Sequence, residues 1–292
     1  MNSENLTQLG ASIDESFFLI GVAILLIEIL AAMSKSTLSW RGIADMLTNI
    51  STQIPFTLVT IFVFSAAYAG YLYVETTFIS WTFETNAATI MLAVLVADFL
   101  YYWEHRIAHE VRGLWIHHAV HHSSRFMNMT IGVRFGAFEG VWSMFALFPM
   151  ILLGFPAELI IFGNLVVLAY QTWIHTELIN KLGPLEWIFN TPSHHRVHHG
   201  SDDEYVDKNY GGILIVWDRL FSTFKEEGKR PRYGLASEFD SVNPLKVWFS
   251  EFPQFFRDLS SSKSVSEFWK RIVRRPEWEP EESASLYCIG NK

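Results

Sequence analysis

Residues 87–109, AATIMLAVLVADFLYYWEHRIAH, run from an apolar stretch with one charged residue, Asp98, straight into two histidines spaced four apart. The run 87–103 is close to the ~20 residues that a helix needs to cross the hydrocarbon of a bilayer. Histidines at i and i+4 share one helix face. The stretch therefore predicts a membrane helix that delivers His105 and His109 together to one boundary of the bilayer.

Working outward, three further runs have similar length and character: 16–33, 54–74 and 157–174. A fifth, 141–155, is shorter and carries Pro149; it either crosses or forms a re-entrant hairpin with its neighbour across the turn GFP. Half of the 292 residues are hydrophobic and 18% are charged, which places the chain among membrane proteins. A single cysteine, Cys288, excludes an intrachain disulfide and a cysteine-built metal site. The net charge of −8 argues against a nucleic acid partner. The N-terminus lacks a basic region, so no cleaved signal peptide is expected.

Charge orients the spans. If the first run crosses inward, the second outward and the third inward, all 22 Lys and Arg residues fall on one side, beginning with Lys35 and Arg41. The loops 1–15, 75–86 and 154–157 carry none. The positive-inside rule then places the N-terminus outside and the C-terminus in the cytoplasm. The predicted fold class is an all-α integral membrane protein: four to five transmembrane or re-entrant helices and a cytoplasmic helical cap holding a histidine-rich di-metal site. The expected organisation is an N-terminal transmembrane segment (1–86), a catalytic segment (87–225) and a cytoplasmic tail (226–292). Within that tail PLKVWFSEFPQFFRDL and SVSEFWKRIVRR suit amphipathic helices, lying either on an anionic leaflet or on the protein's own cytoplasmic face. PEWEPEESAS is expected to be disordered.

All eleven histidines lie between residues 105 and 199. HAVHH places His118, His121 and His122 at i, i+3 and i+4, and HRVHH repeats that spacing with His195, His198 and His199. His175 stands alone after the last span. In the predicted topology every one reaches the same boundary. Neutral imidazole is the commonest metal ligand, and so many rings exceed what one ion takes, which implies two. His117 and His194 each precede a triplet and point about 100° away from it. They are candidate outer partners, although their i+4 spacing to His121 and His198 leaves another register open.

HRIAH, HAVHH and HRVHH resemble the histidine boxes of the fatty acid hydroxylase/sterol desaturase superfamily of membrane di-iron oxygenases. Within it, YYWEHRIAHE, HHSSRFMN, QTWIHTELINKLGPLEWIFNTPSHHRVHHG and DKNYGGILIVWDRLFSTF are most similar to the alkylglycerol monooxygenase branch. The resemblance implies His105, His109, His118, His121, His122, His175, His195, His198 and His199 as ligands of two iron ions. It implies an O2-dependent monooxygenase that hydroxylates a lipid C–H bond beside a glyceryl ether oxygen, giving a hemiacetal that falls apart to aldehyde and glycerol. The reductant in that branch is a reduced pterin such as tetrahydropterin. One stretch, MTIGVRFGAFEG (129–140), departs from the more polar segment of that branch. Hydroxylation or desaturation of a sterol, hopanoid or fatty acyl chain, driven by ferredoxin or cytochrome b5, is the alternative within the superfamily. No fused electron-transfer module is visible, so a separate electron donor is expected.

Other residues have weaker claims. Asp98 lies two helical turns before His105, and an acid within a span costs about 2.5–3.5 kcal/mol; it is expected to orient a ligand imidazole. Glu110, directly after a ligand, is a candidate contact for the reductant. Asp207, Asn209 and Asp218 match the family stretch and suit loop capping equally. Glu28 is expected to pair within the bundle, and Tyr101, Tyr102, Trp103 and Trp173 to anchor span ends. A different class of function, a membrane protein that stores or moves metal ions, conflicts with the histidine placement, because transporters keep such ligands near mid-membrane. The expected location is a bacterial inner membrane, with the endoplasmic reticulum as the alternative.

Overall fold

The computed structural model describes residues 3–235, 237 and 239–280. Cys288 and the part of PEWEPEESAS beyond residue 280 lie outside the described residues. The fold is all-helical: no strand forms among the described residues, and only two isolated bridges occur, Phe189 with Leu214 and Gly200 with Tyr233.

Four helical stretches are long and apolar enough to cross a membrane, Glu4–Ser34, Trp40–Phe78, Ala87–Glu110 and Ala157–Ile174, the last an α-helix continued by a 3-10 turn, which makes this a membrane protein. Two of them outrun the apolar stretches that announce them. Helix α1 (Ser3–Ser34) begins well before residue 16, and α2 (Trp40–Phe78) extends the run 54–74 in both directions. At 1.5 Å per residue their 32 and 39 residues amount to roughly 48 and 58 Å, well beyond a ~30 Å hydrocarbon core. The added N-terminal part of α2 has a polar inward face: Asp45, Asn49 and Thr52 are buried, while Trp40, Leu47 and Ile50 are exposed on its other sides. There Arg134, fully buried, meets Asp45 and Asn49. A charge so placed persists only when paired.

Helix α3 (Ala87–Glu110) starts at a reciprocal cap, in which Asn86 accepts from the Thr89 amide while the Thr89 hydroxyl accepts from the Asn86 amide. It stops at Val111, an extended residue, and α4 (Arg112–His122) begins at once in a new direction. Helices α5 (Glu139–Leu152) and α6 (Ala157–Tyr170) have 14 residues each, about 21 Å. They form a hairpin turned at Gly154, whose φ of +86° and closeness to the Trp81 ring admit no side chain. The carboxylate of Glu75 accepts from the Ala157 amide at the start of α6, where a helix N-terminus favours negative charge. Helix α6 packs on α3 and α1, and α5 on α2 and α3. Gly163 makes the α6–α3 crossing close: a Cβ there would lie 2.9 Å from the Ala93 carbonyl.

The outer faces of the long helices expose large apolar side chains such as Leu30, Phe62 and Met91, as a lipid-facing surface requires. Beyond α6 the chain folds into short helices α7 (Pro192–His198), α8 (Val216–Leu220), α9 (Pro244–Trp248), α10 (Phe252–Ser260) and α11 (Val265–Val273). The last three pack on the protein itself. Trp248 donates to the Phe135 carbonyl, Arg112 pairs with Asp258, and α11 lies against α4. Their opposite faces expose Phe256, Val265 and Trp269.

Candidate metal centre

Four segments converge where the spans meet these short helices. Helix α3 supplies His105 and His109; α4 supplies His118, His121 and His122; a 3-10 turn (Gln171–Ile174) ends at His175; α7 and its cap supply His195, His198 and His199. All nine rings are buried, with exposures of 2–6%. They sort into two groups that could each hold a metal ion. His105, His109, His118, His122 and His198 form one; His121, His175, His195 and His199 form the other, with donor atoms in each within 4.8 Å of one another.

Six of the nine rings face a partner through their outer nitrogen. His105 Nδ1–H donates to the Tyr210 carbonyl (2.9 Å), His121 to Arg134 (3.1 Å), His175 to Gln171 (3.0 Å) and His198 to Lys208 (3.0 Å). His118 Nδ1 meets the Glu139 carboxylate at 2.6 Å, and His109 Nδ1 lies 3.6 Å from Asp207. A carbonyl can only accept, so each ring bonded to one carries its proton on Nδ1, and a neutral ring then has a bare lone pair on Nε2. His121 and His175 turn those lone pairs toward each other at 3.3 Å. Such a pair repels unless a cation lies between. His109 Nε2 and His198 Nε2 are buried with no protein partner, while His195 turns Nε2 to His175 and His199 and leaves its outer Nδ1 without one. Histidines anchored through one nitrogen and bare at the other are the usual donor set of a metal site, and these residues fit one.

Electrostatics favour the same state. Burial, reinforced by neighbouring rings, holds His121, His122, His195, His198 and His199 well below the usual imidazole range. Burial alone takes His118 to about 3, and His175 falls to about 4 even though its bond to Gln171 opposes the shift. The rings are neutral at pH 7, the form that binds metal.

Residues 90–223 match the "Fatty acid hydroxylase" family model, and this span contains all nine rings. Residues 90–223 carry a fatty acid hydroxylase domain. Curated relatives include the alkylglycerol monooxygenases of Danio rerio, 36% identical over 89% of this chain, and of Homo sapiens, 34% identical over 89%. The ornithine lipid hydroxylase OlsE of Rhizobium tropici is 29% identical over 64% of the chain and 55% of its own length. The chain spans 58% of the length of the two alkylglycerol monooxygenases. No solved structure matches it.

Around this hydroxylase-family centre the remaining sequence candidates take other places. Asp98 does not touch a histidine. It accepts from the Ile213 and Leu214 amides (2.6 and 3.1 Å) and from Trp217 Nε1 (2.8 Å). Its reach to the centre is indirect: with Asp218, which accepts from the Tyr210 and Gly211 amides, it braces the loop whose Tyr210 carbonyl holds His105. Glu110 lies at the rim, paired with Arg106 and Arg275. His117 packs between Phe138 and Phe252, and His194 against Phe224 with Glu186 at 3.9 Å; neither joins a group. Tyr102 is buried with its hydroxyl on Thr223 rather than anchoring a span end. Glu28 accepts from the Met129 amide and from Thr176.

Sequence reasoning missed Glu139. Its only signal was an acid opening an otherwise apolar run, and its partner is 21 residues away. The centre also opens onto a cavity of about 500 Å³ between α1, α2, α3, α5 and α6. His105, His118, His121 and His175 form one end, and Phe56, Phe64, Ile161, Leu165 and Leu168 line much of the rest. On the other side a smaller pocket reaches His109, His122, His198 and His199 beside Trp115 and Asp207.

Proposed function

We propose that the chain is an O2-dependent di-iron monooxygenase acting on membrane lipids, most like the alkylglycerol monooxygenases in inserting oxygen beside a glyceryl ether linkage. One observation carries this reading: nine buried imidazoles form two adjacent donor groups, and four of them close the end of an apolar cavity of ligand size, which opens among membrane helices. An ion carrier has no use for such a cavity. Similarity to OlsE favours, as a second reading, hydroxylation of another polar lipid.

In this reading His105, His109, His118, His122 and His198 hold one iron, and His121, His175, His195 and His199 the other. Two bound irons would supply the activation of O2 that side chains cannot provide. The protein's own part is placement. Carbonyls of Tyr210, Arg134, Gln171 and Lys208 fix the ring planes, and Glu139 strengthens His118 as a donor. The apolar walls hold an alkyl chain and exclude water. The small pocket beside Trp115 and Asp207 gives a reductant, a tetrahydropterin or a separate electron donor, a second approach. Residues 1–86 serve as membrane anchor, 87–225 as the catalytic unit and 226–292 as a cytoplasmic tail, with the N-terminus outside and the centre on the cytoplasmic side of a bacterial inner membrane. The same-side placement of all Lys and Arg residues supports this orientation.

The test is metal analysis of the purified protein, O2 uptake with a glyceryl ether lipid, and lipid profiles of cells carrying the intact chain or His121→Ala. Expected are about two irons per chain, ether-lipid-dependent O2 uptake, and accumulation of the substrate lipid in the variant. Identical lipid profiles in aerobic cells, together with no lipid-stimulated O2 uptake by iron-loaded protein, would refute the proposal.

A further inference from the structure

Helices α9, α10 and α11 each rest one face on the protein and turn another away from it. The inward face of α11 carries Ile272, so close to α4 that a Cβ on Gly113 would lie 3.1 Å from it, and the buried Arg271, paired with Glu267. The outward face carries Val265, Trp269 and Val273, each more than half exposed. Their spacing of i, i+4 and i+8 makes one apolar stripe. Lys270 and Arg274 are exposed one residue further on, about 100° round the helix. From there a long cationic side chain reaches polar headgroups while the stripe beside it lies among acyl chains. The outward faces of α9 and α10 have the same make-up: Leu245, Phe249 and Phe256 are exposed, with Lys246 and Arg257 next to them.

This face joins the lipid-facing wall of the spans. Phe249, Phe252 and Phe256 form a string with ring centroids 5.4 and 6.1 Å apart. Phe252 packs on His117, which also meets Phe138 at the start of α5. From Phe138 the exposed aromatics continue along α5 as Trp142 and Phe145. At about 21 Å, α5 falls short of a ~30 Å hydrocarbon core, so its wall needs neighbours to complete it.

Charge selects what lies against the face. Residues 244–275 hold seven basic and three acidic residues, in a chain whose net charge is −8. Every exposed charged side chain among them is basic: Lys246, Arg257, Lys263, Lys270, Arg274 and Arg275. Of the three acids, all only partly exposed, Asp258 pairs with Arg112 and Glu267 with Arg271. A second copy of this face would oppose like charge with like. An anionic surface that also takes up aromatic side chains complements it.

We infer that the outward faces of α9, α10 and α11 form an in-plane membrane-docking surface, which seats its aromatic side chains in the leaflet nearest the metal centre and gathers anionic lipid headgroups around its lysines and arginines. The tail is thus part of the membrane contact of the protein, and the short helices that flank α4 are held at the bilayer surface.

Fluorescence of the full chain in lipid nanodiscs tests this. Cys288→Ser removes the single native cysteine. An environment-sensitive label is then placed on Phe256→Cys and, separately, on Trp269→Cys, so that one helix reports should the other variant not fold. The nanodiscs mix phosphatidylcholine with phosphatidylglycerol, and one or the other carries a nitroxide on its acyl chain. Both labels are expected to be quenched by the nitroxide lipids and shielded from aqueous iodide. Phosphatidylglycerol nitroxide should quench at roughly fivefold lower mole fraction than phosphatidylcholine nitroxide, about the worth of one cation beside an anionic surface. Combining Lys246→Gln, Lys270→Gln and Arg274→Gln should bring the two lipids within about twofold of each other. Salt at about 1 M, where the screening length is about 3 Å, should do the same with the basic residues intact. Labels quenched by iodide and not by either lipid would overturn the proposal and assign the face to a soluble partner or a second copy. Equal quenching by the two lipids at low salt, with the basic residues intact, would overturn the selection of anionic lipid.

Discussion

Glu139→Gln offers a sharp perturbation of the centre, because Glu139 performs two tasks with one carboxylate. Its Oε1 meets His118 Nδ1 at 2.6 Å and its Oε2 accepts from the Gly136 amide at 3.1 Å. Glutamine has one carbonyl oxygen, so it serves one of those donors and turns its own NH2 against the other. If the oxygen stays on His118, the ring keeps its tautomer and loses the charge behind it. If the oxygen goes to Gly136, the ring loses its anchor. Charge-assisted hydrogen bonds are about twice as strong as neutral ones, and removing the outer partner of a metal-binding histidine costs about 10–100-fold in metal affinity. That corresponds to roughly 1.4–2.7 kcal/mol. The effect should be confined to the group containing His118, since no ring of His121, His175, His195 or His199 bonds to Glu139. In a chelator titration of iron-loaded protein, one ion per chain is expected to leave at 10–100-fold lower chelator concentration, and the other at the wild-type concentration. Simultaneous loss of both ions, or a titration unchanged from wild type, would refute the argument that Glu139 supports one group.

Two further outcomes follow from the geometry. Gly154→Ala places a methyl group in a left-handed turn (φ +86°) and 2.8 Å from two Trp81 ring carbons; a cost of about 2–4 kcal/mol is expected, read as a lower unfolding temperature in detergent, and an unchanged value would show that the hairpin turn relaxes freely. Metal-free protein should weaken in mild acid: His175 lies near 4 in the folded chain against 6.5 unfolded, so its contribution is whole above pH 6.5 and is lost as pH falls toward 4. That amounts to roughly 3 kcal/mol for this one ring, and a metal-free unfolding temperature that stays flat from pH 7 to 4.5 would contradict the buried neutral state.

How much of this could be read from the sequence depends on whether the physics is local. The histidine spacings are local, since i, i+3 and i+4 on one helix determine a shared face whatever surrounds it. The apolar runs are local too, and the four candidate spans lie where those runs are. Helix ends were harder to read, because residues 40–53 of α2 are polar and give no hydropathy signal. Asp45 and Asn49 belong in a helix only because Arg134, 89 and 85 residues further on, needs them. Asp98 was visible as a costly acid, and its consumers were not: the amides of Ile213 and Leu214 are 115 and 116 residues distant and become neighbours only on folding. Glu139 was hidden for the same reason, inside a segment that reads as hydrocarbon. The cavity has no sequence signature at all, being a space between five helices.

The two HX2HH boxes carry more information than a shared face. On α4 the i, i+4 pair His118 and His122 belongs to one group, while His121 between them belongs to the other. On α7 the assignment is reversed: His195 and His199 join the second group and His198 the first. Residues i and i+4 are stacked one turn apart and converge on one point, whereas i+3 lies on the other side of the helix's mid-line. One such helix therefore borders two adjacent centres, and two of them facing each other must interleave. The α3 pair then completes the first group to five, and His175 completes the second to four. This division predicts that the groups differ in donor number before any outer contact is considered, so they hold ions with unequal affinity. It also explains why His117 and His194, one residue ahead of each triplet, cannot substitute for a lost ligand: each lies about 100° round its helix, packed against Phe138 and Phe252 in one case and Phe224 in the other.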